Sequence, residues 1–202
     1  MPAFTPYLVV SLLLSSGLLL FSVSAAATEP KDSGHDAHKE KVETRQYINL
    51  RGGASSANLN QRPEVCMEGS PFAMLSVESC GTGNGIWHHD SGTEMMHVRL
   101  KLKVFSLSSG PMLFQYGVGA GMAELQVAAD DPGIQFGTGP RGVETAGAEG
   151  SMFLRGLLPL TKAFELVGDL QTGTAYLPSA PELIVPKSAW QPFVTLSVGV
   201  GY

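Results

Sequence analysis

Past Ala27 the chain has no apolar run long enough for a membrane-spanning helix, which takes about 20 residues, so any crossing there must be made by strands. Charge is scarce at 15% of residues, and the net charge of −5 leaves no basic footprint for nucleic acid. There are only 2 cysteines, Cys66 and Cys80, and none lies near a leader cleavage site, which argues against a lipoprotein anchor. No Gly-x-Ser-x-Gly or other nucleophile motif is present. Glycine, by contrast, is plentiful at 24 residues, as suits a strand-rich chain with many turns.

The first residues read as an export signal. Leu8 to Val23 is apolar, and Ser24-Ala25-Ala26-Ala27 offers an A-x-A-like cleavage site ending at Ala25 or Ala27. Met1 to Tyr7 lack Lys and Arg, a departure from the usual pattern; an uncleaved anchor is the alternative. Residues 28–45 are a polar linker in which His35, Asp36 and His38 form no framework for a metal. Residues 46–202 form one domain.

That domain is organised by alternation. Met96, Val98, Leu100, Leu102 and Val104 alternate with His97, Arg99, Lys101 and Lys103. The last strand sets Val194, Leu196, Val198 and Val200 against Thr195, Ser197, Gly199 and Gly201. Successive side chains on a strand face opposite sides, so each segment has an oily face and a polar one. A membrane barrel puts the oily face in lipid and the charged face in its lumen. Further strands are read at Tyr47 to Ser55, Met112 to Met122, Ser151 to Leu158 and Phe164 to Tyr176. At Ala123 the phase flips, through a bulge or through the strand's exit from the membrane.

Connections alternate long and short: Asn58–Glu94, Leu107–Pro111, Ala128–Gly147, Pro159–Lys162 and Leu177–Trp190. Outer-membrane barrels keep short turns and both chain ends on the periplasmic side, with long loops outside. Six strands follow directly, and a hairpin within Asn58 to Glu94 makes eight. The fold class expected is therefore all-β, a closed antiparallel up-and-down transmembrane barrel. In an exported chain Cys66 and Cys80 suggest a disulfide, because oxidising compartments preserve one, yet the strand pattern leaves two readings open. The cysteines flank Pro71 to Ser79, which alternates as a strand of about 30 Å, whereas a disulfide holds its Cα atoms within about 7 Å. Either Cys66 and Cys80 pair and the segment folds back locally, or it spans and the thiols stay apart.

The export signal, the alternating strands, the loop asymmetry and the ending Val198-Gly199-Val200-Gly201-Tyr202 together resemble the small bacterial outer-membrane barrels of the OmpA and OmpX kind. The segments Glu78 to Gly83 and Gly142 to Gly147 look similar to uncharacterised predicted barrel proteins. The resemblance implies a monomer in the outer membrane of a Gram-negative bacterium, with outer-membrane lipid and the barrel-assembly machinery as partners and Tyr202 as the assembly signal. It implies no activity, because this group spans many functions.

Candidate chemistry is sparse. Arg51, His97, Arg99, Lys101, Lys103 and Arg155, with Glu149, Glu165 and Asp169, fall on the lumen face and read as a salt-bridged plug rather than a conducting pore. The polar cluster His88, His89 and Asp90 follows a glycine-rich stretch, but neighbours on a strand face opposite sides and seldom share a metal. A hydrolase acting on lipids would draw on Ser79 or Ser91, on His88, His89 or His97, and on Glu78 or Glu94. The expected role is structural or surface-interacting, with no catalytic residue, metal or cofactor, and no external ligand indicated. The alternatives are that lipid-modifying hydrolase, or a soluble exported carrier of lipocalin type with its apolar residues inward.

Overall fold

The computed structural model describes residues 47–59, 61–83, 92–127 and 144–202. The leader, the polar linker and the cluster at His88, His89 and Asp90 lie outside the described residues. Eight strands follow in order: β1 Tyr47–Ser55, β2 Glu64–Ser70, β3 Leu75–Gly81, β4 Glu94–Ser109, β5 Met112–Gln126, β6 Glu144–Pro159, β7 Glu165–Tyr176 and β8 Trp190–Gly201. Each is antiparallel to the next, and β8 pairs with β1, so the sheet closes on itself as an up-and-down barrel. A short helix, α1 (Ala180–Leu183), lies between β7 and β8.

The pairing fixes the barrel's dimensions. Partners followed once around the wall run from Leu166 to Val200, Leu50, Met67, Ser79, Val98, Met122 and Ala148 and return to β7 at Tyr176. The return lands ten residues beyond Leu166, which is the shear of the barrel. Eight strands with that stagger tilt by about 40° and leave an interior just wide enough for side chains.

Alternation assigns the two faces as the sequence predicts. Leu100, Leu196 and Val198 are 52%, 59% and 53% exposed, while Arg99, Lys101, Thr195 and Ser197 are buried. A carrier of lipocalin type needs the reverse arrangement, so that alternative is excluded. Two aromatic pairs bracket the oily wall. Tyr176 and Trp190 approach to 5.0 Å between ring centroids at one end, and Phe164 and Tyr202 to 5.6 Å at the other. The twelve residue-to-residue steps from Trp190 to Tyr202 span about 40 Å of strand, hence about 30 Å along the axis at this tilt.

Residues 71–74, 110–111 and 160–164 make the short connections, at the same end as both chain termini of the barrel. The strand ends joined by the longer segments 56–63, 82–93, 127–143 and 177–189 lie at the opposite end. The expected long segment Asn58–Glu94 thus holds two long connections and the β2–β3 hairpin. Its turn falls at residues 71–74, inside the segment read as one strand from Pro71 to Ser79, because β2 precedes it. Cys66 and Cys80 stand directly opposite on this hairpin, with Cα atoms 4.1 Å apart, and form a disulfide. The two readings of the cysteines therefore merge: the segment folds back, and the folded hairpin is part of the wall.

Other boundaries move as well. β6 begins at Glu144, three residues before the expected end of the loop at Gly147, because Thr145 and Gly147 continue the inward alternation. No bulge occurs at Ala123, where β5 keeps register with both neighbours. Its inward face simply becomes apolar there, since Ala123 and Leu125 join Ala57, Met95, Ala175, Leu177, Ala180 and Phe193 in a plug at the long-loop end. The register does shift in β4 between Lys103 and Phe105, an extra residue that leaves both Val104 and Phe105 facing outward.

Glycine makes room for the long inward side chains. A Cβ at Gly117 would collide with the Phe153 ring and the Leu102 carbonyl, and one at Gly119 would meet Ser151 Oγ at 2.6 Å. β5 thereby leaves space for Lys101 of β4 and Phe153 of β6.

The Cys66–Cys80 bridge closes a loop of sequence separation 14, which corresponds to about 3 kcal/mol of stabilisation. A C66A/C80A variant is expected to assemble as a barrel and to unfold at lower urea concentration by that amount. An unchanged urea midpoint in detergent contradicts this.

Candidate functional site

The one concentration of chemistry among the described residues is the lumen. Inward positions of β1, β4 and β6 supply Arg51, Arg99, Lys101 and Arg155, and those of β2, β3, β6 and β7 supply Glu68, Glu78, Glu149 and Asp169. All eight are buried, with Arg51, Arg99 and Lys101 each 1% exposed. Four cations thus face these four carboxylates in a space that excludes most water, and Glu64 of β2 is a fifth buried carboxyl, toward the long-loop end. A buried charge without a partner costs several kcal/mol, so the arrangement must be mutual.

The pairs form a single knot. Arg51 reaches Glu68 and Asp169 at 2.9 Å each and also contacts Glu78. Lys101 Nζ lies 2.9 Å from Glu78 and 3.1 Å from Asp169. Arg155 donates from Nη1 to Glu68 at 2.8 Å and from Nε to Asp169 at 2.9 Å, with a second Nη2 contact to Glu68. Arg99 approaches Glu78 and Glu149 at 3.3 and 3.2 Å through Nε. Each carboxylate therefore serves at least two cationic or imidazole groups.

Two aromatic rings divide the charges into layers. Phe153 lies 4.3 Å from Lys101 Nζ and 5.5 Å from Arg155 Cζ. Phe193 lies 5.3 Å from Arg99 Cζ and 4.7 Å from the His97 ring, at the underside of the apolar plug. The three cation-to-ring distances suit cation–π attraction, which is strongest where water is absent. His97 is fully buried, and its Nδ1 sits 2.6 Å from Glu149.

Of the expected lumen residues, Arg51, His97, Arg99, Lys101, Glu149, Arg155 and Asp169 converge here. Lys103 and Glu165 share the inward face but lie nearer the short-turn mouth, half-buried. Sequence reasoning missed Glu68 and did not place Glu78 among the lumen anions. The signal was present in Glu64-Val65-Cys66-Met67-Glu68, whose acidic and cysteine positions alternate with apolar ones, but it is short and ends in a turn.

Other chemistries fit poorly. Ligand atoms of Glu68, Glu78 and Asp169 all lie within 4.8 Å of one another, yet Arg51, Lys101 and Arg155 already neutralise them, which leaves a cation no electrostatic reason to enter. Glu64 beside Cys66 and Cys80 offers no thiolate, since the cysteines are bonded to each other. The hydrolase grouping does not assemble around His97. Ser79 points outward from β3 while His97 points inward from β4. Glu94 sits 2.8 Å from Arg62 and contacts Thr82. Ser91, His88 and His89 lie outside the described residues.

A scan against protein-family models finds no match, and no curated protein matches the chain. Among solved structures, the crystal structure of Neisserial surface protein A (NspA) matches with a TM-score of 0.49 and 8% identity, over 77% of this chain and 93% of that one. The barrel described above rests on this chain's own strand pairing.

Removing one member of the knot strands the rest. Glu68→Ala leaves Arg51 and Arg155 short of a carboxylate and is expected to destabilise the barrel by roughly 3–5 kcal/mol. Glu165→Ala, at the half-buried mouth, is expected to cost about 1 kcal/mol or less. Equal shifts in urea midpoint for the two variants contradict the assignment.

Proposed function

We propose that this chain spans an outer membrane as a closed barrel and serves a structural or surface-interaction role rather than catalysis or conduction. The observation that carries the reading is the oily outer wall between the Trp190 and Tyr202 ends of β8. Val194, Leu196, Val198 and Val200 are exposed in sequence along that strand, and Ile48, Leu50, Leu100, Leu102 and Leu170 continue the surface around the ring. Soluble proteins seldom expose so large a continuous apolar patch. Membrane barrels carry an apolar band about 25 Å tall between aromatic girdles, and the about 30 Å between the two aromatic pairs accommodates one.

The lumen supports the same reading from the inside. Its mutually paired charges and its apolar plug argue against transport through the bore. That leaves the ends. The four longer connections all leave from strand ends at one rim, and in the outer-membrane orientation that rim faces outward, where the connections meet an external partner or cap the barrel. The connection carrying α1 does cap it, since Ala180 packs into the plug. Tyr202, exposed beside Phe164 and paired through its backbone with Ile48, serves as the signal to the assembly machinery. The chain works as a monomer in contact with outer-membrane lipid, delivered by its cleaved leader.

Two measurements test this. Purified membranes solubilised in SDS are expected to show a faster-migrating form before heating and a slower one after it, with the protein retained in carbonate-washed membranes. Release into the aqueous wash refutes the membrane assignment. Reconstituted into a planar bilayer, the folded protein is expected to give no sustained conductance, and steady channels refute the plugged lumen.

A further inference from the structure

The outer wall is not evenly convex. Across β3 to β6 it sinks into a groove of about 300 Å³, at the lower end of the size of ligand pockets. Val77, Met96, Val98, Leu100 and Met122 rise around it, and its floor lies at Ala120 and Gly121, with Ala146 at the edge. The depth has a local cause in the pairing. Leu100 of β4 stands opposite Ala120, which stands opposite Gly150 of β6, and Met122 stands opposite Ala148. The large outward Leu100 on β4 therefore gives way to Ala120 and Gly150, and Met122 on β5 to Ala148 on β6.

The groove lies within the exposed apolar wall, and Glu124 borders it toward the long-loop end. Resting on the membrane-spanning reading above, we propose that it binds a single acyl chain of a membrane lipid, held in place while the lipid around the rest of the barrel exchanges. The medium at this depth is hydrocarbon, so the occupant needs no hydrogen-bonding group. The lining is apolar, and a water molecule held there lacks the polar partners it requires. An acyl chain on a convex wall touches protein on one side, whereas in a groove it is flanked on several, and the summed dispersion contacts grow accordingly. A second barrel presents a convex wall too broad to enter a space of this volume.

The test uses the full barrel in vesicles of phosphatidylethanolamine and phosphatidylglycerol containing a trace of phospholipid spin-labelled near the end of its acyl chain. Wild type is expected to give a motionally restricted component beyond that of ordinary boundary lipid. Ala120→Leu with Ala146→Leu fills the groove, and the excess component is expected to disappear. Thr172→Leu, an exposed position on β7 outside the groove lining, is expected to keep it. Heat-modifiability confirms that each variant is folded. An equal restricted component in wild type and the filled variant, both folded and membrane-integrated, overturns the groove proposal and leaves the membrane reading intact. Wild type that is dimeric, with the filled variant monomeric, puts a second copy in the groove and also overturns it. Protein that floats free of the vesicles overturns the membrane reading and the groove proposal together.

Discussion

Charge neutrality inside a narrow tube is the constraint on which this structure depends. Eight strands with a shear of ten leave room for side chains and little else. Into that space the chain places Arg51, Arg99, Lys101 and Arg155, whose charges have no solvent to screen them. Their stability is set by Glu68, Glu78, Glu149 and Asp169, drawn from strands up to 118 positions apart in sequence, as between Arg51 and Asp169. The outer wall imposes no such matching, because Leu, Val and Ile there need only be oily.

That asymmetry explains what the sequence made legible. The dyads in Met96 to Lys103 and Val194 to Gly201 declare strands with one oily face, and the loop lengths order them, because both signals are local. The lumen cations could be read for the same reason: Arg99 and Lys101 are conspicuous inside an oily strand. Their partners were harder to see. Glu68 lies on a seven-residue strand beside a turn, and nothing within β2 says which cation it meets. Pairings such as Arg155 with Glu68 depend on ring closure, which brings β6 and β2 to face each other across the lumen.

The phase change at Ala123 shows a related limit. Alternation reports which side chains are oily, and it was read as reporting which way they point. Along most of β5 the two agree. At Ala123 and Leu125 the strand continues unbroken while its surroundings change, the interior from charged to apolar. A pattern of period two carries no information about depth, so a bulge and a change of medium look alike in the sequence.

The disulfide sits inside this arrangement with a consequence for folding order. Cys66 and Cys80 are buried in the lumen and flanked on the same hairpin by Glu64, Glu68 and Glu78, so β2 and β3 contribute only negative charge to the interior. Such a hairpin repels itself while alone and gains its counter-ions from β1, β4 and β6 once the ring forms. A covalent tie made while both strands are still hydrated would hold these like charges together through the interval before closure. On that view the bridge, besides stabilising the finished barrel, keeps an electrostatically frustrated hairpin in register until the ring closes.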